Sequence, residues 1–199
     1  MQKIIDFIIE LDKLKTVTRK TRVLNENRYE NSAEHSWQIA MLAASLVQYA
    51  LAPIDINRVI GMLLVHDIGE IDTGDTIVYA DDGLAERKVA ERQAVTRIFS
   101  LLPDTDAATF MSLWQEFEDG ETAEARFAHA ADRAMPVLLN LANNGQSWVE
   151  NGITYQRVIN KIAAPIQAGC PALWQHVEAQ LEDANRRGWY GMGVKTNQP

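Results

Sequence analysis

Apolar residues in this chain recur at spacings of three and four rather than two, almost from end to end. That period limits the fold to packed amphipathic helices. Ile4, Ile5, Ile8, Ile9 and Leu11, with acids between them, predict a first helix. A second opens at Ser32 with Glu34 in its first turn, runs through Trp37, Ile39, Met41, Leu42 and Leu46, and is closed by Pro53. Asp55 caps a third, whose Val59, Ile60 and Met62-Leu63-Leu64-Val65 have the composition of core. A polar loop follows from Thr73-Gly74 to about Gly83. Later helices are predicted near 84–101, stopped by Pro103, and near 107–117, stopped at Asp119-Gly120. Another runs from Thr122 through Phe127, Asp132 and Leu138, and two more lie near 155–164 and 171–187. No strand-like alternation persists, and no longer repeat is present. The expected fold is all-α: a single compact helical bundle over residues 1–190, with 191–199 as a partly disordered tail.

Composition narrows the function. At 199 residues and 47% apolar content the chain suits one domain that needs no staples. Its one cysteine, Cys170, can form no internal disulfide and has no basic neighbour to activate it as a nucleophile. The net charge of −8, from 27 acids against 19 bases, is wrong for duplex nucleic acid, whose binding rests on phosphate neutralisation. A single nucleotide stays compatible. No apolar run approaches the ~20 residues of a membrane span. The opening segment carries Asp6, Glu10 and Asp12 through its apolar part, unlike a signal peptide. The expected location is cytoplasmic.

The chemistry gathers at His66-Asp67, which directly follows the core-like run ending at Val65. A carboxylate near the interior is costly without a partner, and a cation is one partner that offsets the cost. Imidazole with carboxylate suits a divalent ion such as Mn²⁺, Fe²⁺, Co²⁺ or Zn²⁺. Among the four histidines, His35 is the best second nitrogen ligand, since it shares the inward stripe of Ile39 and Leu42. Asp132, among alanines on an apolar helix, is the best second carboxylate. Taken singly, each residue also fits a plain structural role: an inward histidine bonded in the core, or an aspartate in a cap or ion pair.

The strings Asn31-Ser-Ala-Glu-His35-Ser, His66-Asp-Ile-Gly-Glu70-Ile-Asp-Thr-Gly-Asp75 and Ala125-Arg-Phe-Ala-His-Ala-Ala-Asp132 together resemble the HD-domain metal-dependent phosphohydrolases. Within them they are similar to the YfbR-like branch of 5′-deoxynucleotidases and HD-domain-containing relatives. The likeness runs from about Leu14 to Leu139. It implies an HD-domain bundle with one divalent metal (Mn, Co, Fe, Zn, Ni or Mg) held by His35, His66, Asp67 and Asp132. It also implies that Glu70 positions or activates the attacking water and that Asp75 stands near the scissile phosphate and sugar. Arg19 corresponds to an arginine that holds substrate, although the alignment there slips by a residue, and a tryptophan found in some members is absent at Lys20 and Thr21. By composition alone, Arg19, Arg22, Lys13, Lys15 and Lys20 form a basic cluster of the kind usually solvated, able here to steer an anion. His129 is expected to be exposed, His176 to be structural, and the five tryptophans to serve core and interface.

The implied activity is phosphomonoester hydrolysis of a small phosphate ester, a (deoxy)nucleoside 5′-monophosphate, through metal-activated water. No P-loop string occurs. Three alternatives stay open: another HD hydrolase (a nucleoside triphosphohydrolase or cyclic-nucleotide phosphodiesterase), a two-iron oxygenase, and a non-catalytic nucleotide sensor that keeps its metal. A homodimer is expected.

Overall fold

Helix starts are fixed by side chains that accept the N–H groups every helix leaves unpaired at its N-terminus. Asn31 accepts from the Glu34 backbone at 2.9 Å while Glu34 accepts from the Asn31 backbone at 3.1 Å, a complete capping box. Asp55 accepts from Asn57 at 2.9 Å, Thr122 from Ala125 at 3.0 Å and Thr154 from Arg157 at 3.3 Å. The computed structural model describes residues 1–79 and 83–192. Residues 80–82 of the expected polar loop and 193–199 of the expected tail lie outside the described residues.

In chain order come α1 (Gln2–Leu11), a 3₁₀ turn (Asp12–Thr16), β1 (Thr18–Arg22), β2 (Tyr29–Asn31) and α2 (Ser32–Leu46). After a short 3₁₀ turn follow α3 (Ile56–Val65), α4 (Glu70–Thr73), α5 (Leu84–Phe99) and α6 (Asp104–Asp119). The chain continues with α7 (Ala123–Ala142), α8 (Gln146–Glu150), α9 (Tyr155–Gly169) and α10 (Pro171–Arg186). The all-α expectation holds, with one correction. β1 and β2 form an antiparallel hairpin, Thr18 opposite Asn31 and Arg22 opposite Tyr29, with an irregular register between. Alternation could not reveal it: β1 reads Thr-Arg-Lys-Thr-Arg with no apolar residue, and β2 has only three positions. Trp114, Trp148 and Trp174 are core as expected, and Trp37 is exposed.

The axis of the core is α7, which packs against α9, α3 and α2. Its inward face is built of small residues, Ala125, Ala128, Ala131 and Ala134, all buried, so neighbouring helices approach closely. The closest approach is at Gly169 near the end of α9, where an added Cβ would stand 2.2 Å from the Arg126 carbonyl oxygen. Around this axis pack Ile39, Met62, Leu63, Phe127, Ile162, Ile166 and Leu181, each contributing about 1.5–3 kcal/mol of burial. A second cluster of Phe7, Val65, Ile68, Val95, Ile98, Phe99, Leu102 and Trp114 fastens α1, α5 and α6 to the end of α3. Among the described residues no helix is long and apolar enough to cross a membrane. The N-terminal half of α2, the C-terminal end of α3 and the middle of α7 thereby converge beside the hairpin.

Candidate metal centre

Each of the converging elements delivers one polar side chain into the core. The capping box starts α2 so that His35 falls in its first inward turn, fully buried. Burial of Met62, Leu63 and Val65 drives α3 inward, and His66 is its C-cap residue, with Asp67 next in the turn beyond. Asp132 stands on the alanine face of α7, 6% exposed. His35, His66 and Asp132 offer donor atoms that all lie within 4.8 Å of one another. His35 Nε2 is 3.0 Å and His66 Nε2 3.9 Å from Asp132 Oδ1. Asp67 adjoins this trio rather than completing it: its Oδ1 is 3.0 Å from His66 Nε2, and its Oδ2 accepts from Arg19 Nη1 at 2.8 Å.

The hydrogen bonds of the two rings indicate what the trio suits. His66 Nδ1 lies 2.9 Å from the Leu63 carbonyl, which can only accept, so that nitrogen carries the proton. Nε2 is then a lone pair facing the carboxylates of Asp67 and Asp132, and it is buried with no hydrogen-bond partner. A lone pair and two carboxylates pointing at one place repel each other until a cation or a proton stands between them. His35 Nδ1 is likewise buried and unpartnered. Two imidazole nitrogens and carboxylate oxygens form a donor set for a borderline divalent metal. The residues therefore fit such an ion.

Without it, a proton takes the place of the charge. Burial, the strongest influence on His66, lowers its pKa, yet the charges of Asp67 and Asp132 outweigh this and lift it to about 9. His35 moves the other way, to about 4, through burial and the nearby charge of Arg19. Burial would raise Asp67, but His66 and Arg19 hold it at about 2. Asp132 is also held well below its ordinary value, against burial, by Arg133 and His35.

Two further acids and one base complete the surroundings. Glu70 opens α4, and its Oε2 accepts from the fully buried Ser32 hydroxyl at 2.5 Å. Burial, with Asp67 and Asp75 nearby, raises Glu70 to about 9. At the end of α4, Gly74 takes φ +74°, a conformation that favours glycine, and turns the chain so that Asp75 comes back over the site. Arg19 is the shared counter-ion. Its Nη1 is 3.4 Å from Asp75 and 4.0 Å from Glu70, and its Nε is 3.3 Å from Glu30. Burial acts to lower its pKa, but the charges of Asp67, Asp75, Glu70 and Glu30 outweigh this and keep it raised. The expectation of a solvated basic cluster is therefore corrected for Arg19: it is enclosed by carboxylates, which come from positions 30, 67, 70 and 75.

All of this opens on a cleft of about 460 Å³ lined by Arg19, His66, Asp67, Glu70, Asp75 and Asp132. His129 also lines it and is half-buried, correcting the expectation of exposure, with Nε2 donating to the Phe117 carbonyl at 2.8 Å. Sequence reasoning missed Glu30 and Ser32. Glu30 sits in a strand too short to display a period, and Ser32 read only as the first residue of α2.

Comparison with known proteins adds the following. The family described as HD domain matches residues 11–174. A crystal structure from Magnetospirillum magnetotacticum MS-1, named a predicted metal-dependent phosphohydrolase, is 43% identical with a TM-score of 0.89 and covers 95% of this chain and 97% of that one. The human protein named 5′-deoxynucleotidase HDDC2 is 28% identical over 138 residues, 69% of this chain and 66% of the relative. Its Dictyostelium discoideum counterpart is 29% identical over 144 residues, 69% of this chain and 76% of the relative. The chain thus spans about two thirds of the human relative's length.

Proposed function

The chain belongs to the HD domain family, and on that premise we propose that it is a metal-dependent phosphohydrolase cleaving (deoxy)nucleoside 5′-monophosphates. The observation that carries the proposal is the unpartnered His66 Nε2 aimed at two buried carboxylates, beside a cleft that holds a second pair of acids. His35, His66, Asp67 and Asp132 would hold one divalent ion, with Mn, Co, Fe, Zn, Ni and Mg as the candidates. Such an ion supplies Lewis-acid polarisation of the phosphoryl group and acidifies water.

The chain's own residues do the rest. The Ser32 hydroxyl occupies Glu70 Oε2, which leaves Oε1 to take a proton from the attacking water. Asp75 shares the Arg19 Nη1 with Glu70, is hydrogen-bonded to Glu70, and orients the sugar side of the substrate. The Arg19 guanidinium, at the cleft wall, offsets charge on the phosphoryl oxygens. Water oxygen bonds to phosphorus as the bond to the 5′ oxygen breaks, and the proton that Glu70 took from water passes to that oxygen, releasing the nucleoside and restoring the carboxylate. The same reading takes residues 1–190 as one domain that acts as a homodimer in the cytoplasm, with no role for duplex nucleic acid. Light scattering that gave a concentration-independent monomer mass would contradict the dimer.

The test is a panel of nucleotides against each metal, added back after chelation, with phosphate release as the readout. Turnover of 5′-monophosphates with at least one metal is expected. Stoichiometric metal binding with no turnover of any phosphate ester would refute the hydrolase reading and leave a nucleotide sensor.

A further inference from the structure

The hairpin brings one more acid to the centre, one that does not line the cleft. Glu30 is the middle residue of β2, flanked by half-exposed Tyr29 and Asn31, and it points inward with only 3% exposure. Its Oε1 lies 3.3 Å from Arg19 Nε and 3.7 Å from His35 Nδ1. All three of these atoms are buried without a hydrogen-bond partner. Three orphaned polar groups meeting at one point is an unusual expense in a folded interior, where such groups are nearly always paired.

The ring of His35 accounts for it. Nε2 lies 3.0 Å from Asp132 Oδ1, and a ring that carries its proton there donates to Asp132, since a carboxylate only accepts. Nδ1 is then a lone pair facing the Glu30 carboxylate, and neither is satisfied. When Nε2 instead gives its lone pair to a cation, the ring proton moves to Nδ1, where Glu30 Oε1 is the acceptor it faces. That proton shift, with a closing of the 3.7 Å gap by under an ångström, pairs two orphaned atoms. Glu30 is therefore placed for the tautomer that leaves Nε2 free to hold a metal. On its other side the same oxygen faces Arg19 Nε, so the hairpin carries both Arg19 and the acid that orients it.

We propose that Glu30 is the positioning residue of the centre, fixing the metal-holding tautomer of His35 and the direction of the Arg19 guanidinium with one carboxylate. The proposal rests on the metal-dependent reading given above. Carboxylates behind metal-ligating histidines raise ligand basicity and lock ring orientation, and their loss weakens metal binding by about 10–100-fold. Glu30→Gln keeps the volume and removes the charge. Direct zinc titration of the chelated protein is expected to show affinity lowered by at least about tenfold. Glu30→Asp, which keeps the charge, is expected to recover part of it.

Long-range ¹H–¹⁵N spectra of the zinc-loaded parent supply the second readout, and they do not depend on any variant folding. They should place the His35 proton on Nδ1, shifted downfield by a carboxylate acceptor. A His35 proton found on Nε2 would overturn the proposal, as would parent zinc affinity in Glu30→Gln. His35→Ala serves as the control. If it loses zinc while Glu30→Gln does not, only the role of Glu30 falls. If His35→Ala binds zinc as tightly as the parent, the metal centre falls and the proposal with it.

Discussion

Replacing Arg19 by glutamine should destabilise the metal-free protein and, against first expectation, tighten its grip on metal. In the metal-free state Arg19 is the charge that makes a buried group of carboxylates tolerable. Its Nη1 is 2.8 Å from Asp67 and 3.4 Å from Asp75, and its Nε is 3.3 Å from Glu30. At an effective dielectric of about 20, the Asp67 contact alone represents a gross attraction of roughly 6 kcal/mol. Desolvation cancels part of this, and removing one partner of a buried pair typically leaves a net cost of about 3–5 kcal/mol. Protonation limits the loss, because burial already raises Glu30 to about 7 and pushes Asp75 upward. For a chain of this length the cost corresponds to a fall in Tm of roughly 6–20 °C, at about 2–4 °C per kcal/mol. A bound divalent ion supplies the missing charge to Asp67, so the metal-loaded variant should lose less. Thermodynamic reciprocity then requires Arg19→Gln to bind metal more tightly, by about 5–150-fold for a coupling of ~1–3 kcal/mol. Differential scanning calorimetry with and without metal gives one side of the cycle, and a chelator-competition titration gives the other. An unchanged metal-free Tm, or metal bound more weakly than by the parent, would refute the reasoning.

Three further outcomes follow from particular contacts. Ser32→Ala removes the hydroxyl that Glu70 Oε2 accepts at 2.5 Å, and a hydrogen bond to a charged group is worth about 1.5–3 kcal/mol. It should lower kcat by roughly tenfold or more while leaving metal affinity alone, so an unchanged kcat would remove Ser32 from the machinery. In the metal-free protein His66 is lifted from 6.5 to about 9, against burial, by Asp67 and Asp132. Its proton therefore stabilises the metal-free fold fully below about pH 6.5, and that contribution is lost as the pH rises through about 9. Metal must displace the same proton, so apparent affinity should rise by up to about tenfold per pH unit until near pH 9. Calorimetric titrations in buffers of different ionisation enthalpy would show the released proton, and a flat affinity profile from pH 6.5 to 9 would contradict the assignment. Finally, Gly169→Ala puts a methyl 2.2 Å from the Arg126 carbonyl and forces α9 away from α7, a strain of about 1–3 kcal/mol or more. Thermal unfolding should shift downward by several degrees, and no shift would mean that the two helices separate freely.

The helices were legible because their signals are local. Asn31, Asp55, Thr122 and Thr154 cap four of the helices. Pro53 and Pro103 interrupt, and the three-and-four spacing marks the buried faces. His35, His66 and Asp132 were legible for a related reason: each is a polar residue at an apolar position of a readable helix, and the interior they share is where they meet. What stayed hidden depends on pairings distant in sequence. Arg19 sits among lysines and arginines and has the local character of surface, and only the return of the chain at positions 67, 70 and 75 encloses it. Glu30 gave no sign at all, since a three-residue strand has no period and its inward direction is set by pairing with β1. His129 became half-buried because α6 ends beside it, with the Phe117 carbonyl accepting from its ring.

The protonation of the acids explains how a chain with a net charge of −8 can receive a phosphate at all. Glu30, Asp67, Glu70 and Asp75 surround one guanidinium and Asp132 adjoins them through His35 and His66, which leaves a formal local charge of minus four when the histidines are neutral. A phosphate dianion would be expelled from such a site. Burial, however, raises Glu70 to about 9 and Glu30 to about 7, so near neutral pH Glu70 keeps its proton and Glu30 is divided. A divalent ion takes the place of these protons and brings the cluster close to neutrality, and Arg133, 3.5 Å from Asp132 at the cleft wall, adds a further positive group. Crowding the acids thus achieves two ends with one arrangement. It makes a strong cation site, and the charge of the bound cation lowers the pKa of Glu70, so that its carboxylate is free to take a proton from water. Moving any one of these acids outward would weaken metal binding and lower the pKa of Glu70 together, because both depend on the same unscreened negative charge.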